Sequence, residues 1–439
     1  MDILITNVTA VTMNERMEVL FGACIGIKEG KITWVGKKVP EGKPETIIDG
    51  TGMVAMPGLV NCHTHLASTV LRSCFDDATA QEALEGRLTR KSRLDHRSAK
   101  ASALLGLAEC LRLGITSVSD LDGYPEAVAE AAAEVGIKAN IALAAERFAD
   151  ENEEFDFETD PQCVRFRELA ERWHNYEDGR IRIDGGLYAE YTSNSSLWEA
   201  VADYAAEKGL GMQLHLAQNI WEAESCLDRT GLGPAELLDC HRVFRVPAAA
   251  AGCGALTGEE RKLLAKRKAS AVLTPLADAK AGQPAASLLQ TVKAGMNAAL
   301  GTGGADEAGS LDLFEVLRWA ALTARQEAGR PDGLPAAAAL MMATTCGARA
   351  QGRAEETGML KEGMDADLIL VDFSAPHLLP CHNVLSGLVF SAKGCDVALT
   401  MVRGKILYRS GAFLTVNLQQ VVEELTGYAI EQVFGDKEG

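Results

Sequence analysis

Apolar and polar residues alternate at both ends of the chain. DILITNVTAVTM (residues 2–13), ACIGIKEGKITWVG (23–36) and TIIDGTGMVAM (46–56) switch class nearly every residue and break at glycine, the pattern of short strands with one buried face. ADLILVDF (366–373) and DVALTMVRGKILYRSGAF (396–413) repeat that rhythm, with a turn expected at Arg403-Gly404-Lys405. The two ends are expected to pair into one small composite β domain, residues 1–56 plus 355–417. A last helix is expected from about Gln419 to Phe434, within a tail spanning 418–439.

The middle, residues 57–354, has a different rhythm. Short apolar runs end at LVNCHTH, GITSVSDL, GIKANIALAA, RIRIDGGLYAEY, GLGMQLHLAQ, AAAAGCGALT, ASAVLTPLA and AGMNAALGTGG. Helical patterns such as ALLGLAECLRL, PEAVAEAAAEVG, SLWEAVADYAAEKG and LDLFEVLRWAALTARQEAG lie between them. Eight strand-then-helix units predict an α/β fold of the (β/α)₈ TIM-barrel type, whose chemistry sits at the C-terminal ends of the strands.

Composition narrows the function classes. Lys+Arg total 43 against 61 Asp+Glu over 439 residues, a net charge of −18, which argues against a nucleic-acid partner. Hydrophobic residues at 47 % supply a core and argue against disorder. Eleven cysteines without a CxxC pair fit reduced thiols, and the N-terminus lacks a signal-peptide pattern, so a cytoplasmic location is expected. No stretch approaches the roughly 20 apolar residues of a membrane span. Phosphate-loop and dinucleotide glycine motifs are missing, as are both halves of the H-x-E/P-C-x-x-C signature of zinc nucleobase deaminases of another fold.

The sharpest chemical signal is His63-Thr64-His65, closing the first barrel strand. Residues two apart in a strand share a face, so both imidazoles can meet one metal ion. An HxH pair alone is weak evidence, because two histidines can simply be neighbours. Its place in PGLVNCHTHL strengthens it.

At this point the sequence resembles the amidohydrolase superfamily, in particular the S-adenosylhomocysteine and methylthioadenosine deaminases and related chlorohydrolases. The likeness runs over nearly the whole chain, through PGLVNCHTH, LRLGITSVSD, YTSNSSLWEA, LHLAQNIWEAES, ALTGEE, GMNAALGTGG, SLDLFEVLRWAAL, TGMLKEGMDADLILVD, PHLLPCHN and VRGKI. It implies a metal-dependent barrel with a β domain from both ends, zinc as cofactor, a purine-like small-molecule ligand and a homodimer or larger oligomer. It implies metal-ligand roles for His63, His65 and His215. It also exposes departures. The family's proton-shuttling Glu falls on Gln218, its water-polarising His on Gly252 and its ligand-and-base Asp on Gly303. The substrate-binding His falls on Tyr188 and the ribose-binding Glu on Ser92.

Gln and Gly cannot exchange a proton near neutral pH, and each positioned acid or base is worth about 10²–10⁴ in rate. The family reaction is therefore expected to be impaired and zinc binding weak. The alternatives are a non-catalytic homologue that binds a ligand or partner, and a hydrolase of changed specificity using relocated carboxylates. Asp306, Glu190, Asp278, Asp120 and Asp122 are the candidates for relocation, each with the plain alternative of a loop acid or helix cap. His96, His174, His241, His377 and His382 are expected to be surface or capping residues, and Cys253, beside Gly252, is the thiol singled out for reactivity.

Overall fold

Parallel strands covered by helices on one side and packed on each other on the other read as nearly continuous apolar runs. Eight such strands make up the central sheet: β1 (Leu59–Thr64), β2 (Ile115–Asp122), β3 (Lys138–Leu143), β4 (Ile181–Leu187), β5 (Met212–Leu216), β6 (Ala248–Gly252), β7 (Ser270–Leu273) and β8 (Asn297–Leu300). They pair in chain order, all in parallel, in a computed structural model that describes residues 1–39, 42–148, 154–283 and 285–435. This is the expected (β/α)₈ barrel.

The seam between β8 and β1 is polar. A parallel bridge joins Thr64 to Gly303. Asn61 donates to the Thr302 hydroxyl at 2.8 Å and accepts the Thr302 N–H at 3.1 Å. Gly301 lets the two strands meet, since a Cβ there would lie 2.7 Å from the His63 Cβ. Inside the barrel, Val60, Cys62, Ala251, Val272 and Ala299 form one packed cluster. The alanine-rich β6 is thus small because its neighbours fill the interior.

The two chain ends share one antiparallel-dominated sheet. Strand Leu368–Asp372 pairs with Met53–Pro57, placing Leu368 opposite Pro57, and Met53–Pro57 pairs in turn with Ile3–Val11. Val397–Val402 and Lys405–Arg409 form a hairpin whose turn residues Arg403 and Gly404 have φ of 47° and 73°, the positive values that a tight two-residue hairpin requires. Buried Ile5, Val8, Ile25, Ile27, Leu368, Leu370 and Met401 fill this sheet's own core.

Ion pairs stitch sheet to barrel. The fully buried Lys138 ammonium, at the start of β3, lies 2.5 Å from both Asp365 and Asp367. Buried Arg353 donates to Asn140 on β3 and to the carbonyls of Gly179, Ala139 and Arg180. At the other end of the chain, helical segments Leu418–Glu424 and Ile430–Phe434 are joined by a π-turn, close to the expected 419–434. Tyr428 of that turn hydrogen-bonds Asp95 and lies under the Arg97 guanidinium, 3.9 Å from its ring centroid. Among the described residues, no helix is long and apolar enough to cross a membrane.

Candidate metal centre

His63 lies near the end of β1, His65 immediately follows it, and His215 lies near the end of β5. Barrel closure brings these strand ends across from one another. The three histidines each offer a ring nitrogen, all within 4.8 Å of one another, and all three side chains are buried. His65 Nδ1 lies 2.7 Å from the Leu121 carbonyl and His215 Nδ1 lies 2.8 Å from the Tyr188 carbonyl. A carbonyl can only accept, so each Nδ1 carries the proton and each Nε2 presents a lone pair. His63 Nε2 and His215 Nε2 are 3.1 Å apart. Two nitrogens at that spacing subtend roughly 98° at a point about 2.05 Å from both, within the range of a tetrahedral zinc site.

Burial holds the rings neutral. The pKa values of His63 and His65 fall well below the ordinary imidazole value, burial being the main cause and neighbouring positive charge adding to it. His215 is lowered too, again by burial, with Glu307 working in the opposite direction. Neutral imidazole is the ligating form. The donor set and its protonation therefore fit a divalent ion such as zinc.

A polar cavity of about 320 Å³ opens beside the histidines. His63, Gln218, Thr274, Asp278, Asp306 and Glu307 line it, with Arg87 and Lys280 supplying positive charge. Tyr188 sets its ring edge-on to His215 at 4.9 Å, and burial raises its phenol pKa so that it stays protonated.

The other candidate residues divide clearly. Ser92 is exposed at the end of helix Ala80–Lys91, its hydroxyl bonded to the Thr89 carbonyl, and it does not line the cavity. Its neighbour Lys91 is the residue whose charge reaches the site. Burial works against that charge, but Asp122, Asp306, Glu307 and Tyr188 outweigh it and raise the ammonium pKa. Glu190 is buried in an ion pair with Arg229. Asp120 accepts the Leu66 N–H at 2.7 Å and the Thr64 hydroxyl at 3.0 Å, anchoring the turn after β1; burial and Asp122 push its carboxyl up to about 8. Asp122 accepts the Gly123 N–H at 2.6 Å. Asp278 faces the cavity with its carboxyl raised to about 7, chiefly by burial. Asp306 is buried against Arg87, with Oδ2 3.2 Å from Nε.

Cys253 does not fulfil the expectation of reactivity. Its thiol is fully buried and burial pushes its pKa up to about 12, so the thiolate is scarce. His96, His241 and His377 pair with Glu130, Glu199 and Asp396, away from the centre.

One residue at the centre escaped the sequence reading. Glu307, rather than Asp306, faces the histidines, with Oε2 3.9 Å from His65 Nε2. The available signal was capping-box spacing: Gly304 is an N-cap and Glu307 stands three residues on, so its carboxylate folds back to accept the Gly304 N–H at 2.9 Å.

Comparison with known proteins extends the geometry. Residues 54–407 match the model of the amidohydrolase family. The 5-methylthioadenosine/S-adenosylhomocysteine deaminase of Thermoanaerobacter pseudethanolicus is 33 % identical, with 96 % of this chain and 97 % of that protein covered. The 5'-deoxyadenosine deaminase of Methanosarcina acetivorans is 34 % identical, with 98 % of each covered. Among solved structures, a zinc-bound adenosine deaminase from Xanthomonas campestris superposes with a TM-score of 0.91 at 26 % identity, covering 98 % of each chain. Atrazine chlorohydrolase from Arthrobacter aurescens, complexed with zinc, gives 0.89 at 26 % identity, covering 97 % of this chain and all of that one. A match spanning the barrel and the sheet strands that flank it, in a chain whose strand ends bring three histidines together, makes this protein a member of the amidohydrolase family.

Proposed function

We propose that the chain is a metal-dependent hydrolase that removes a substituent from a purine-type heterocycle, slowly by the family's standard. The observation that carries this reading is the convergence of three neutral, buried imidazoles, one of which, His63, lines a polar cavity of about 320 Å³. Relatives named as deaminases of adenosine derivatives supply the substrate class. A divalent ion at the three imidazoles would supply Lewis acidity and an activated water.

The protein's own groups set the rest. The carbonyls of Leu121 and Tyr188 fix the tautomers of His65 and His215. Protonated Tyr188 can donate a hydrogen bond to a ring nitrogen or sugar oxygen, and the Gln218 amide can orient a substrate but cannot ionise. Asp278, raised to about 7 by burial, and Asp306, raised to about 6 chiefly by burial, are the cavity carboxyls able to exchange a proton near neutral pH. With Gln218 and Gly252 unable to carry protons, turnover of adenosine, methylthioadenosine or S-adenosylhomocysteine is expected below about 1 s⁻¹, under the ordinary range.

The test is a panel of aminopurine nucleosides and chloro- or amino-substituted triazines with zinc-loaded protein, following released ammonia and chloride. Slow, zinc-dependent release from at least one member is expected. No metal-dependent release from any member would overturn the reading and favour a binding role, and adenosine turnover well above the stated limit would overturn the impairment.

A further inference from the structure

Gly303 leaves an opening beside the three histidines. A Cβ built on that residue would stand 2.5 Å from Glu307 Oε2, with nothing else within 3.7 Å. The Glu307 carboxylate therefore occupies the space a side chain at 303 would take. It arrives from the first turn of the short helix Ala305–Ala308 rather than from the strand end.

The neighbouring charges explain why Glu307 and not Asp306 faces the centre. Asp306 is turned onto Arg87, and Lys280 holds its backbone carbonyl at 3.3 Å. A Cβ on Gly304 would meet Asp306 Oδ1 at 2.2 Å, so Asp306 packs under the loop instead. Glu307 has one oxygen within 3 Å of the Gly304 N–H and, among the described residues, only His65 Nε2 within ion-pair range. Its charge is felt by His63 and His215 as well. Gly303, meanwhile, donates its own N–H to the His63 carbonyl at 3.0 Å, which ties the opening rigidly to β1.

We propose that Glu307 is the metal-facing carboxylate of this centre, its charge reaching the ion position through the space that Gly303 vacates. Three neutral imidazoles leave a bound dication with its full charge of +2; Glu307 lowers the sum to +1. The carboxylate, four residues beyond Gly303 in the chain, sits where a side chain at 303 would begin. The inference rests on reading the three histidines as a metal centre, and it is silent about which bond is cleaved.

Zinc affinity, measured by competition with a chromophoric chelator at pH 7.5, tests it without any substrate. Glu307→Gln is expected to weaken zinc binding about tenfold or more, in the range that loss of an outer partner of metal ligands costs. Asp306→Asn, equally close in sequence but engaged by Arg87, is expected to change it about threefold or less, well under that range. In a Glu307→Ala background, Gly303→Asp should recover most of the lost affinity. Its φ of 69° is one that Asp tolerates better than most residues, and the clash is gone. Melting curves for each variant separate lost metal from lost fold. Unchanged affinity in Glu307→Gln, or an equal loss in Asp306→Asn, would overturn the proposal. Glu307-dependent zinc binding in a protein that hydrolyses no heterocycle would leave this inference standing and sink the proposed function. Zinc-dependent turnover with an affinity indifferent to Glu307 would do the reverse.

Discussion

The Gln218 side chain lies directly over Gly252: a Cβ on residue 252 would be 2.5 Å from Gln218 Cγ. Gly252 also has a φ of 95°, outside the range of ordinary side chains. The two positions are therefore filled as a pair, one large and one absent. A histidine placed at 252 alone would clash and strain the backbone.

An acid introduced at 218 is sterically neutral, because Glu and Gln share a shape. Gln218→Glu places a carboxyl in the cavity wall, where a positioned acid typically contributes about 10²–10⁴ in rate. We expect at least a tenfold gain in kcat on whichever panel substrate is turned over, with an acidic limb appearing in the pH profile. Steady-state kinetics of the variant and the parent decide this. An unchanged rate would mean that residue 218 does not contact the reacting group.

Removing metal should leave the fold intact. The barrel core runs through Leu59, Val118, Ile141, Ile183, Leu214 and their neighbours and does not include the three histidines. Chelator-treated protein should keep its far-ultraviolet circular dichroism. Added zinc should raise Tm in a concentration-dependent way, by mass action worth about 2.7 kcal/mol at a hundredfold excess over Kd. His63→Ala and His215→Ala should abolish that shift without changing the metal-free Tm by more than a few degrees. Stoichiometric zinc that survives chelation would contradict the expectation of weak binding.

Glu222 gives a pH dependence of known sign. Its carboxylate accepts the Gln218 N–H and the Asn219 amide, both at 3.0 Å, yet burial pushes its pKa up to about 7, with Glu190 adding to the rise. Between about 4.5 and about 7 the native state keeps a proton that the unfolded chain has released. More protons are bound in the native state, so this group lowers stability as pH rises through that window and adds no further loss above it. Urea melts at pH 5 and pH 7.5 should show a smaller drop in Glu222→Gln than in the parent, since an amide does not titrate in that window. Equal drops would show that Glu222 is ionised throughout.

The strand count and the His63–His65 pair were legible because both rest on short-range rules, whereas His215 was indicated only by the family resemblance. Eight apolar runs give eight strands, and the alternation of His63 and His65 about Thr64 puts both rings on one face. The pairing of the chain ends was legible too, since strand patterns at both termini had no other partner. Glu307 was not, because the choice between two adjacent acids turns on Arg87 drawing Asp306 aside, a contact between residues far apart in sequence that capping-box spacing alone does not reveal. The position of Ser92 was obscured for a similar reason. The chain after β1 runs through a turn and helix Ala80–Lys91 whose phase decides that Lys91, rather than Ser92, directs its charge to the cavity. Cys253 had a neighbour that drew attention to it, but burial, which a lone residue does not announce, decides its chemistry.

Lys138 offers the test of how sheet and barrel are joined. It is fully buried at the start of β3, where a lysine would be untenable without partners, and it meets two carboxylates at 2.5 Å. Asp365 also takes Lys31 and Arg403, and Asp367 accepts the Arg403 N–H at 2.8 Å. Lys138→Met keeps the length of the side chain but strands the Asp367 carboxylate, which has no other side-chain cation in range among the described residues. Breaking one side of such a buried pair costs about 3–5 kcal/mol. Asp367→Asn in the same background removes the stranded charge and should restore a large part of that loss. Chemical denaturation of the single and double variants measures both. If Lys138→Met costs less than about 1 kcal/mol, the range of an exposed ion pair, the network is not what holds the composite sheet to the barrel.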